Sequence, residues 1–447
     1  MSFELYEYKI EDLGKVITGK TPPSKISDAF SAQGIPFVTP KDMDGRRLID
    51  KTERYLSSQG VEAVRNCLLP QNSIAVSCIG SDMGKTVLLP GESITNQQIN
   101  AIVVDSEHFD YKYVYYYLST LQDDFKAIAG GSATPILNKG HFSQFKVSLP
   151  VKPVQNKIAL ILDSLDTKIE VNTEINHTLE QMAQALFKSW FVDFEPVKAK
   201  MAVLESGGSQ ADAMLAAMTA ISGKDADALA VFEREHPEQY AELKATAELF
   251  PSAMQDSELG NIPVTWELGK LQDLLVLQRG FDLPSSARKD GEFPLIAASG
   301  PNGTHNVAMA KAPGVITGRS GVLGKVYLTL EDYWPLNTTL WVKEFKRATP
   351  CYAYELLRLL DMKAFNAGSA VPSLNRNHIH SLSYPLPPMA LVNLFESSAL
   401  LLHQRAHVNL KHSQSLALLR DTLLPKLLSG EITLPEAEQA VSEAENV

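Results

Sequence analysis

The sequence has few cysteines and no long apolar run. Three cysteines, Cys67, Cys78 and Cys351, occur in 447 residues, and no two of them form a C-x-x-C pair. The spacing therefore predicts neither a disulfide framework nor a structural zinc site. No apolar run reaches the length of a membrane span, and the first residues lack a signal-peptide pattern. These absences predict a cytoplasmic protein.

Basic residues are also scarce, since 41 Lys and Arg stand against 52 Asp and Glu and the net charge is -11. This balance argues against a uniformly nucleic-acid-binding surface, because phosphate contacts need basic side chains. The acidic excess is confined to two segments: residues 200–260 contain 11 acidic and 4 basic residues, and residues 431–447 contain 5 glutamates and no base. The remainder, with 37 basic and 36 acidic residues, permits local basic surfaces.

The second half of the sequence repeats the first. Residues 131–138 and 368–375 share the pattern G-S-A-x-P-x-L-N at an offset of 237, and Gly84-Lys85 recurs as Gly324-Lys325 at an offset of 240. Unequal offsets indicate a common scaffold with loops of different length. Each copy contains short buried strands, such as 73–78 and 314–318, and amphipathic helices, such as 113–121 and 352–360. The predicted fold is α/β (α+β), with two pseudo-symmetric globular units.

A long helix with an apolar seam follows each copy. The seam positions are Ile158, Leu162, Leu165, Ile169, Asn172, Leu179 and Leu186 in the first helix, and Phe395, Leu402, Asn409, Leu416 and Leu423 in the second. An apolar seam needs a partner, and an antiparallel coiled coil of the two helices is the simplest one; burial in separate bundles is the alternative. In the antiparallel pair Asn172 would face Asn409 or Ser413. Helices of 40 residues are about 60 Å long, so they would set the spacing of the two units.

These patterns divide the chain into six predicted segments. They are a first globular domain at 1–150, a helical spacer at 151–195, an acidic helical insertion or linker at 196–260, a second globular domain at 261–388, a second helical spacer at 389–430 and an acidic tail at 431–447.

Several of these segments resemble a known family. Residues 161–170 and 185–194 are similar to the central conserved region of the specificity (S) subunits of type I restriction–modification systems, and residues 419–432 are similar to their distal conserved region. Residues 18–22 resemble the opening of the first target-recognition domain. Residues 256–263, followed by Trp266, resemble the lead-in to the second. The likeness follows the order of the chain over nearly its whole length.

The resemblance implies a non-catalytic subunit of a phage-defence complex that reads a bipartite, asymmetric sequence in double-stranded DNA. It also implies helices that dock two adenine methyltransferase (M) subunits, with restriction (R) subunits joining through them. S-adenosylmethionine, ATP and Mg²⁺ would then belong to partner subunits, and this chain would bind no cofactor or metal. The acidic segment 200–260 is longer than is usual in the family, and is either a contact surface or solvated decoration.

Direct readout of bases needs loop side chains with paired donors or acceptors, such as Arg or Lys for guanine and Asn or Gln for adenine. The candidates are Lys20, Thr21, Lys41, Arg46, Arg47, Ser81, Lys85, Asn96, Gln97, Gln98 and Lys139 in the first copy, and Arg279, Arg288, Lys289, Asn302, Arg319, Ser320, Lys325, Asn337, Thr338 and Arg376 in the second. Arg46, Arg47 and Arg319 are expected to contribute more of the DNA contact. Asn138 and Asn375 are expected to be scaffold.

Three alternatives stay open at this point. One is an enzyme, namely a fused nuclease or methyltransferase, but no Asn-Pro-Pro or Asp-Pro-Pro segment and no G-x-G-x-x-G turn occurs. No catalytic residue is therefore predicted. Another is the specificity module of a methyltransferase-only system. The last is a protein scaffold that does not bind DNA.

Overall fold

A computed structural model describes residues 3–129, 136–368 and 371–445. The chain divides into unit 1, Met1–Asn172 with Lys411–Val447, and unit 2, Thr173–Leu410. Most of the repeated G-S-A-x-P motif, at 131–135 and 369–370, lies outside the described residues.

Unit 1 contains a four-stranded antiparallel sheet and a second four-stranded sheet, most of whose strands are shorter. The strands are β1 (Tyr6–Lys9), β2 (Gly14–Thr18), β3 (Phe30–Ser31), β4 (Ile35–Val38), β5 (Tyr55–Leu56), β6 (Ser73–Ser77), β7 (Thr86–Leu89), β8 (Ile94–Thr95), β9 (Ile99–Val104) and β10 (Lys146–Leu149). The helices are α1 (Ser58–Ala63), α2 (Tyr111–Ser119), α3 (Gln122–Ile128) and α4 (Lys139–Gln144). The sheet orders are β2-β9-β6-β7 and β3-β5-β4-β8, and β1 pairs with β10.

The first long helix, α5 (Lys152–Phe191), is followed by α6 (Glu195–Glu205), α7 (Gln210–Ser222), α8 (Ala226–Glu235) and α9 (Pro237–Glu248). These four shorter helices form the acidic segment. Ser209 and Asp225 cap α7 and α8 by accepting hydrogen bonds from backbone N–H groups of the first turn. The Lys200 ammonium is buried and donates to the carbonyls of Ala247 and Phe250 at 2.7 and 2.6 Å. These bonds join the two ends of the segment, and Phe250, whose ring centroid lies 5.4 Å from that of Trp190, packs it into the core of unit 2.

Unit 2 continues with a second set of strands and helices. The strands are β11 (Met254–Gln255), β12 (Ile262–Pro263), β13 (Glu267–Lys270), β14 (Leu275–Arg279), β15 (Phe293–Ala297), β16 (Gly300–His305), β17 (Gly314–Gly318), β18 (Val326–Thr329), β19 (Trp334–Pro335), β20 (Thr339–Phe345) and β21 (Ser383–Leu386). The helices are α10 (Leu271–Leu274), α11 (Pro350–Leu359), α12 (Arg376–His380) and the long α13 (Met389–Ser429). The last helix, α14 (Leu434–Glu445), belongs to unit 1, where Ala437 and Val441 join the core.

The strand order of unit 2 repeats that of unit 1. Its main sheet runs β14-β20-β17-β18, the counterpart of β2-β9-β6-β7. The parallel pair β15–β19 matches β4–β8, and β13–β21 matches β1–β10. The predicted mixed fold, with two related units and two long helices, is confirmed.

Each unit buries one stretch of the seam. In unit 1, Ile158, Leu162, Leu165, Leu416 and Leu423 are buried in one core, and Asn172 Nδ2 donates to Ser413 Oγ at 3.1 Å. Ser413 was one of the two partners expected for Asn172.

In unit 2 the seam passes through an aromatic core. Phe395 is fully buried there, whereas Leu179, Leu186 and Leu402 are half-buried, as Ile169 is in unit 1. Asn409 Nδ2 donates to Asn176 Oδ1 at 3.0 Å, and Asn176 Nδ2 donates to Ala406 O at 3.0 Å. The helices therefore run antiparallel within each unit, with amide hydrogen bonds in the middle of the seam.

Among the described residues, no helix combines the length and the apolar character that a membrane crossing needs.

The aromatic core of unit 2 provides a test of these contacts. Phe395 is fully buried, with ring centroids 5.5 Å from both Phe187 and Phe191. We expect Phe395→Ala to lower the free energy of unfolding of unit 2 by about 3–5 kcal/mol, because the surrounding core collapses only partly into the cavity. Urea denaturation followed by the fluorescence of Trp190, in the same core, measures the change. Leu401→Ala, at a position 67% exposed on the same helix, is the control, and equal midpoints for the two variants would contradict the assignment.

Candidate nucleic-acid interface

In unit 1 the chain after β2 lies against the turn between β8 and β9. Gly19 N donates to Ile99 O at 3.1 Å, and Lys20 N donates to Thr95 O at 2.9 Å. A side chain at Gly19 would place its Cβ 2.2 Å from Thr95 Oγ1 and 2.3 Å from Asn96 O, so glycine is required by the close approach. This backbone frame brings two stretches of predicted DNA-binding residues, 20–21 and 96–98, to one edge.

Hydrogen bonds orient the side chains at this edge. Thr21 Oγ1 donates to Gln97 Oε1 at 2.7 Å, and Asn96 Nδ2 donates to Gln98 Oε1 at 3.1 Å. Lys20 and Gln97 are exposed. The edge therefore presents a cation beside amide donors and acceptors, the groups that contact phosphates and base edges.

The corresponding frame in unit 2 has different side chains. Gly280 N donates to Thr339 O at 3.0 Å and Phe281 N to Pro335 O at 2.8 Å, as Gly19 and Lys20 do in unit 1. In place of the Thr21–Gln97 bond, Asp282 accepts a hydrogen bond from the Asn337 amide and another from Arg279, at 3.0 Å. The two units thus share backbone geometry at this edge and differ in what it displays.

A second pair of backbone hydrogen bonds occurs in both units and shows that Arg319 in unit 2 occupies the position equivalent to Cys78 in unit 1. Cys78 N donates to Gln98 O at 2.8 Å, and Cys78 O accepts from Leu137 N at 2.9 Å. Likewise, Arg319 N donates to Thr338 O and Arg319 O accepts from Leu374 N, both at 2.8 Å. The Arg319 guanidinium donates to Asn337 O at 3.3 Å and is half-buried. Unit 1 has a buried thiol at this place, where burial raises the pKa of Cys78 to about 11.

The structure therefore brings two groups of the predicted residues together. These are Lys20, Thr21, Asn96, Gln97 and Gln98 in unit 1, and Arg279, Arg319, Ser320, Asn337 and Thr338 in unit 2. The described hydrogen bonds join none of the other candidates to these edges, namely Lys41, Arg46, Arg47, Ser81, Lys85, Lys139, Arg288, Lys289, Asn302, Lys325 and Arg376. Asn138 and Asn375 accept hydrogen bonds from backbone N–H groups at the starts of α4 and α12, which agrees with the scaffold role expected for them.

Arg47 is engaged in ion pairs. Its guanidinium lies 2.6 Å from Asp163 Oδ1 and 2.9 Å from Glu170 Oε1, and its side chain is only 11% exposed. Arg46 pairs with Asp44 at 2.9 Å and is more exposed. Because a phosphate would have to displace carboxylates from Arg47, the geometry favours a structural role for that residue over the predicted DNA contact.

The ion pairs of Arg47 continue into a network between α2, α5 and α13. Asp166 accepts hydrogen bonds from Tyr116 Oη at 2.6 Å and Arg420 Nη1 at 2.5 Å. Burial acts to raise the pKa of Asp163, but hydrogen bonds from Lys112 and Arg47 outweigh it and hold that pKa below its usual range. Sequence reasoning missed this network. Its signal was the acidic spacing of Asp163, Asp166 and Glu170, three and four residues apart along one face of α5.

Another motif was also overlooked. Residues 14–21 match the phosphate-loop pattern G-x-x-x-x-G-K-T. A phosphate loop joins a strand to a helix and keeps its backbone amides free for phosphate. Here Gly14–Thr18 is strand β2, paired along its length with β9, the amides of Gly19 and Lys20 are bonded to carbonyls, and the next element is β3. The pattern does not form a phosphate loop in this fold.

Cation-ligating groups are sparse in the part of the chain that the structure describes. Asp105, Glu107 and His108 form one cluster close enough to share an ion. All three are exposed, and His108 Nδ1 lies 2.8 Å from Asp105 Oδ2. We therefore interpret the cluster as an ordinary contact between loop side chains.

Comparison with known proteins places this arrangement in a family context. Residues 4–181 match the profile of the Type I restriction modification DNA specificity domain. The Type I restriction enzyme HindI specificity subunit of Haemophilus influenzae is 32% identical over 323 residues, 65% of this chain and 70% of that protein. The Type I restriction enzyme MjaIX specificity subunit of Methanocaldococcus jannaschii is 25% identical over 441 residues, 96% and 93% of the two chains.

A solved structure shares the fold. The S subunit of a type I restriction–modification system from M. genitalium superposes with a TM-score of 0.53 at 15% identity, covering 95% of this chain and 96% of that one.

The depressed pKa of Asp163 predicts acid sensitivity of unit 1. A carboxylate whose pKa is lower in the folded state stabilises that state at pH values above its unfolded-state pKa of about 4. This contribution is lost as the pH falls through the folded-state pKa. We expect Asp163→Asn to destabilise unit 1 by about 1–3 kcal/mol at neutral pH, because Arg47 and Lys112 lose a carboxylate. We also expect a smaller loss of stability in this variant than in the wild type between about pH 5 and about pH 3.

Hydrogen–deuterium exchange of peptides from α2 and α5 measures both effects, the first at neutral pH and the second between about pH 5 and about pH 3. Asp123→Asn is the matched control, since the Asp123 side chain is fully exposed and lies 3.9 Å from Lys126. Identical pH profiles for wild type and Asp163→Asn would disprove the assigned role of this carboxylate.

Proposed function

The chain belongs to the family of type I restriction enzyme specificity subunits, and we propose that each of its two units recognises one half of a bipartite, asymmetric duplex DNA sequence. The observation that supports this most directly is the repeated edge. One backbone frame, built on Gly19 in unit 1 and Gly280 in unit 2, supports different polar side chains in the two units. The proposed target-recognition domains are 1–150 and 261–388.

The chemistry of the two edges suits different bases. Gln97, oriented by Thr21, matches the donor–acceptor pair of adenine, whereas Arg319 matches the two acceptors of guanine. Exposed cations near each edge, such as Lys20 and Arg279, suit phosphate contacts, which position the protein without selecting a sequence. Because the two edges differ, the two halves of the target differ as well.

We further propose that the long helices dock two methyltransferase subunits, through which restriction subunits join. Each unit leaves large apolar side chains exposed on its parts of α5 and α13. They are Leu160, Val171 and Leu418 in unit 1, and Ile175, Met182, Leu401 and Val408 in unit 2. Repeated apolar surfaces of this kind suit two copies of one partner. S-adenosylmethionine, ATP and Mg²⁺ would act in the partner subunits, and the chain itself supplies recognition without catalytic groups.

Single substitutions at the two edges test whether each edge reads a different half of the target. We expect Gln97→Ala to relax base preference in one half of the target only, and Arg319→Ala to relax it in the other half only. Each loss should be about 1–3 kcal/mol against the preferred base, the worth of a bidentate base contact. Selection from a random duplex library by the chain assembled with its methyltransferase subunit, at fixed salt, measures the preference.

Gln239→Ala, at an exposed amide on α9, is the control and should leave both halves unchanged. Loss of preference in the same half for both variants would contradict the assignment of one edge to each half. Selection of no sequence, with binding insensitive to salt, would instead support a protein scaffold, because phosphate contacts give a steep salt dependence.

A further inference from the structure

In unit 1 the outer edge of β7 is covered by the chain itself. Leu48 forms a parallel bridge with Leu88, in which Leu88 N donates to Arg47 O at 2.8 Å and Ile49 N donates to Leu88 O at 3.0 Å. Val87, Leu88 and Leu89 are at most 3% exposed as a result. The same short segment directs the Arg47 side chain onto the carboxylates of α5.

The corresponding edge in unit 2 is open. β18 is the edge strand of its sheet, as β7 is in unit 1. The offset of 240 between Gly84-Lys85 and Gly324-Lys325 makes Leu328 equivalent to Leu88 and Leu330 equivalent to Pro90. In unit 2 the chain after β15 turns back as β16 and forms a hairpin with β15. No described residue forms a β-bridge with the outer edge of β18. All four residues of β18 are half-buried. An uncovered strand edge is a template for pairing with another chain.

A cavity of about 410 Å³ lies beside this open edge. Its lining includes Leu328 of β18, Leu330 just after that strand, Tyr354 from α11, Glu180 from α5 and His403 from α13. Tyr354 corresponds to Tyr115, because each lies five residues after the N-cap of its helix, α11 or α2. His403 corresponds to Asp166, the aspartate of the Arg47 network, at the repeat offset of 237. The cavity therefore corresponds to the place where Arg47 lies in unit 1.

Two buried polar atoms near the cavity lack hydrogen-bond partners within the described structure. One is Nε2 of His403, whose side chain lines the cavity and is 10% exposed. The other is Oε2 of Glu355, which is 1% exposed; this residue is next to His403 but is not among the residues that line the cavity, and its Oε1 lies 4.0 Å from His403 Nε2. The Arg358 guanidinium lies 3.5 Å from Oε1 of both Glu355 and Glu180. Burial raises the pKa of Glu355 to about 7, with Arg358 opposing the shift and Glu180 adding to it. A buried acceptor without a donor is costly, whereas a guanidinium supplies five donors.

We propose that an extended segment of a partner protein pairs with the open edge of β18 and places an arginine side chain in the adjoining cavity. This segment is the counterpart, supplied by another chain, of residues 47–49 in unit 1. It satisfies the backbone groups of the strand edge. Its guanidinium joins Arg358 beside Glu180 and Glu355, much as Arg47 shares its carboxylates with Lys112 and Arg420 in unit 1. DNA is excluded as the occupant, because carboxylates repel phosphate and a nucleic acid cannot continue a β-sheet.

The inference rests on the proposed function in one respect, which is that the partner is taken to be the methyltransferase subunit. The complex of the full chain with that subunit is therefore the test system. A photoreactive p-benzoylphenylalanine at Leu330 samples the open edge. The same residue at Pro90 is the matched control, since Pro90 lies at the equivalent place beside Arg47 and Leu48 in unit 1.

After irradiation and mass spectrometry, we expect the probe at Leu330 to join an arginine-containing segment of the methyltransferase subunit. The probe at Pro90 should join residues 45–50 of its own chain. A cross-link from Leu330 to a segment without arginine, to a second copy of this chain, or to nothing in an assembled and methylating complex would overturn the inference while leaving the proposed function intact. If the two chains do not assemble at all, both fail.

A substitution gives an independent readout. Glu355→Gln removes the charge opposite the proposed guanidinium and should weaken the affinity for the methyltransferase subunit by about tenfold or more. Glu242→Gln, at an exposed carboxylate on α9, is the control and should change the affinity less than about twofold. Equal affinities for both variants, with Glu355→Gln folded as judged by circular dichroism, would overturn the arginine assignment.

Discussion

The amide hydrogen bonds in the middle of an otherwise apolar helical seam determine much of this structure. Asn172 bonds Ser413 in unit 1, and Asn409 bonds Asn176 in unit 2. A buried amide that slips by one turn loses its partner, so these bonds fix the register of α5 against α13 within each unit. That register in turn decides which side chains on the helix flanks face the α/β elements, including Asp166 and Arg420 in unit 1.

Sequence reasoning succeeded where the information is local. The repeat, the long helices and the polar seam positions follow from periodicity, and the antiparallel choice narrowed the partner of Asn172 to two residues. Individual base-reading candidates such as Thr21 and Gln97 were identified by type, but their mutual contact spans 76 residues and no pattern in the sequence encodes it. Arg47 shows the same limit. A loop arginine suggests DNA, and only the fold reveals that carboxylates 116 and 123 residues away already pair with it.

The two units show how one scaffold displays two different sets of side chains. The backbone bonds that hold the edge are the same in both, so the loops between them are free to differ. Unit 1 uses the loop after β4 to cover β7 and to pair Arg47 with α5, whereas unit 2 has a hairpin there and leaves β18 uncovered. A pseudo-symmetric protein with asymmetric loops is suited to an asymmetric target.

The most direct test of the recognition role is to map methylated bases in cells that contain this chain together with its methyltransferase subunit, and in cells that contain the methyltransferase subunit alone. Recognition of a bipartite target predicts a new methylated adenine motif in two different parts, separated by a gap of constant length, only when the chain is present. An unchanged methylation pattern, with the same methyltransferase subunit active beside another specificity subunit, would contradict it.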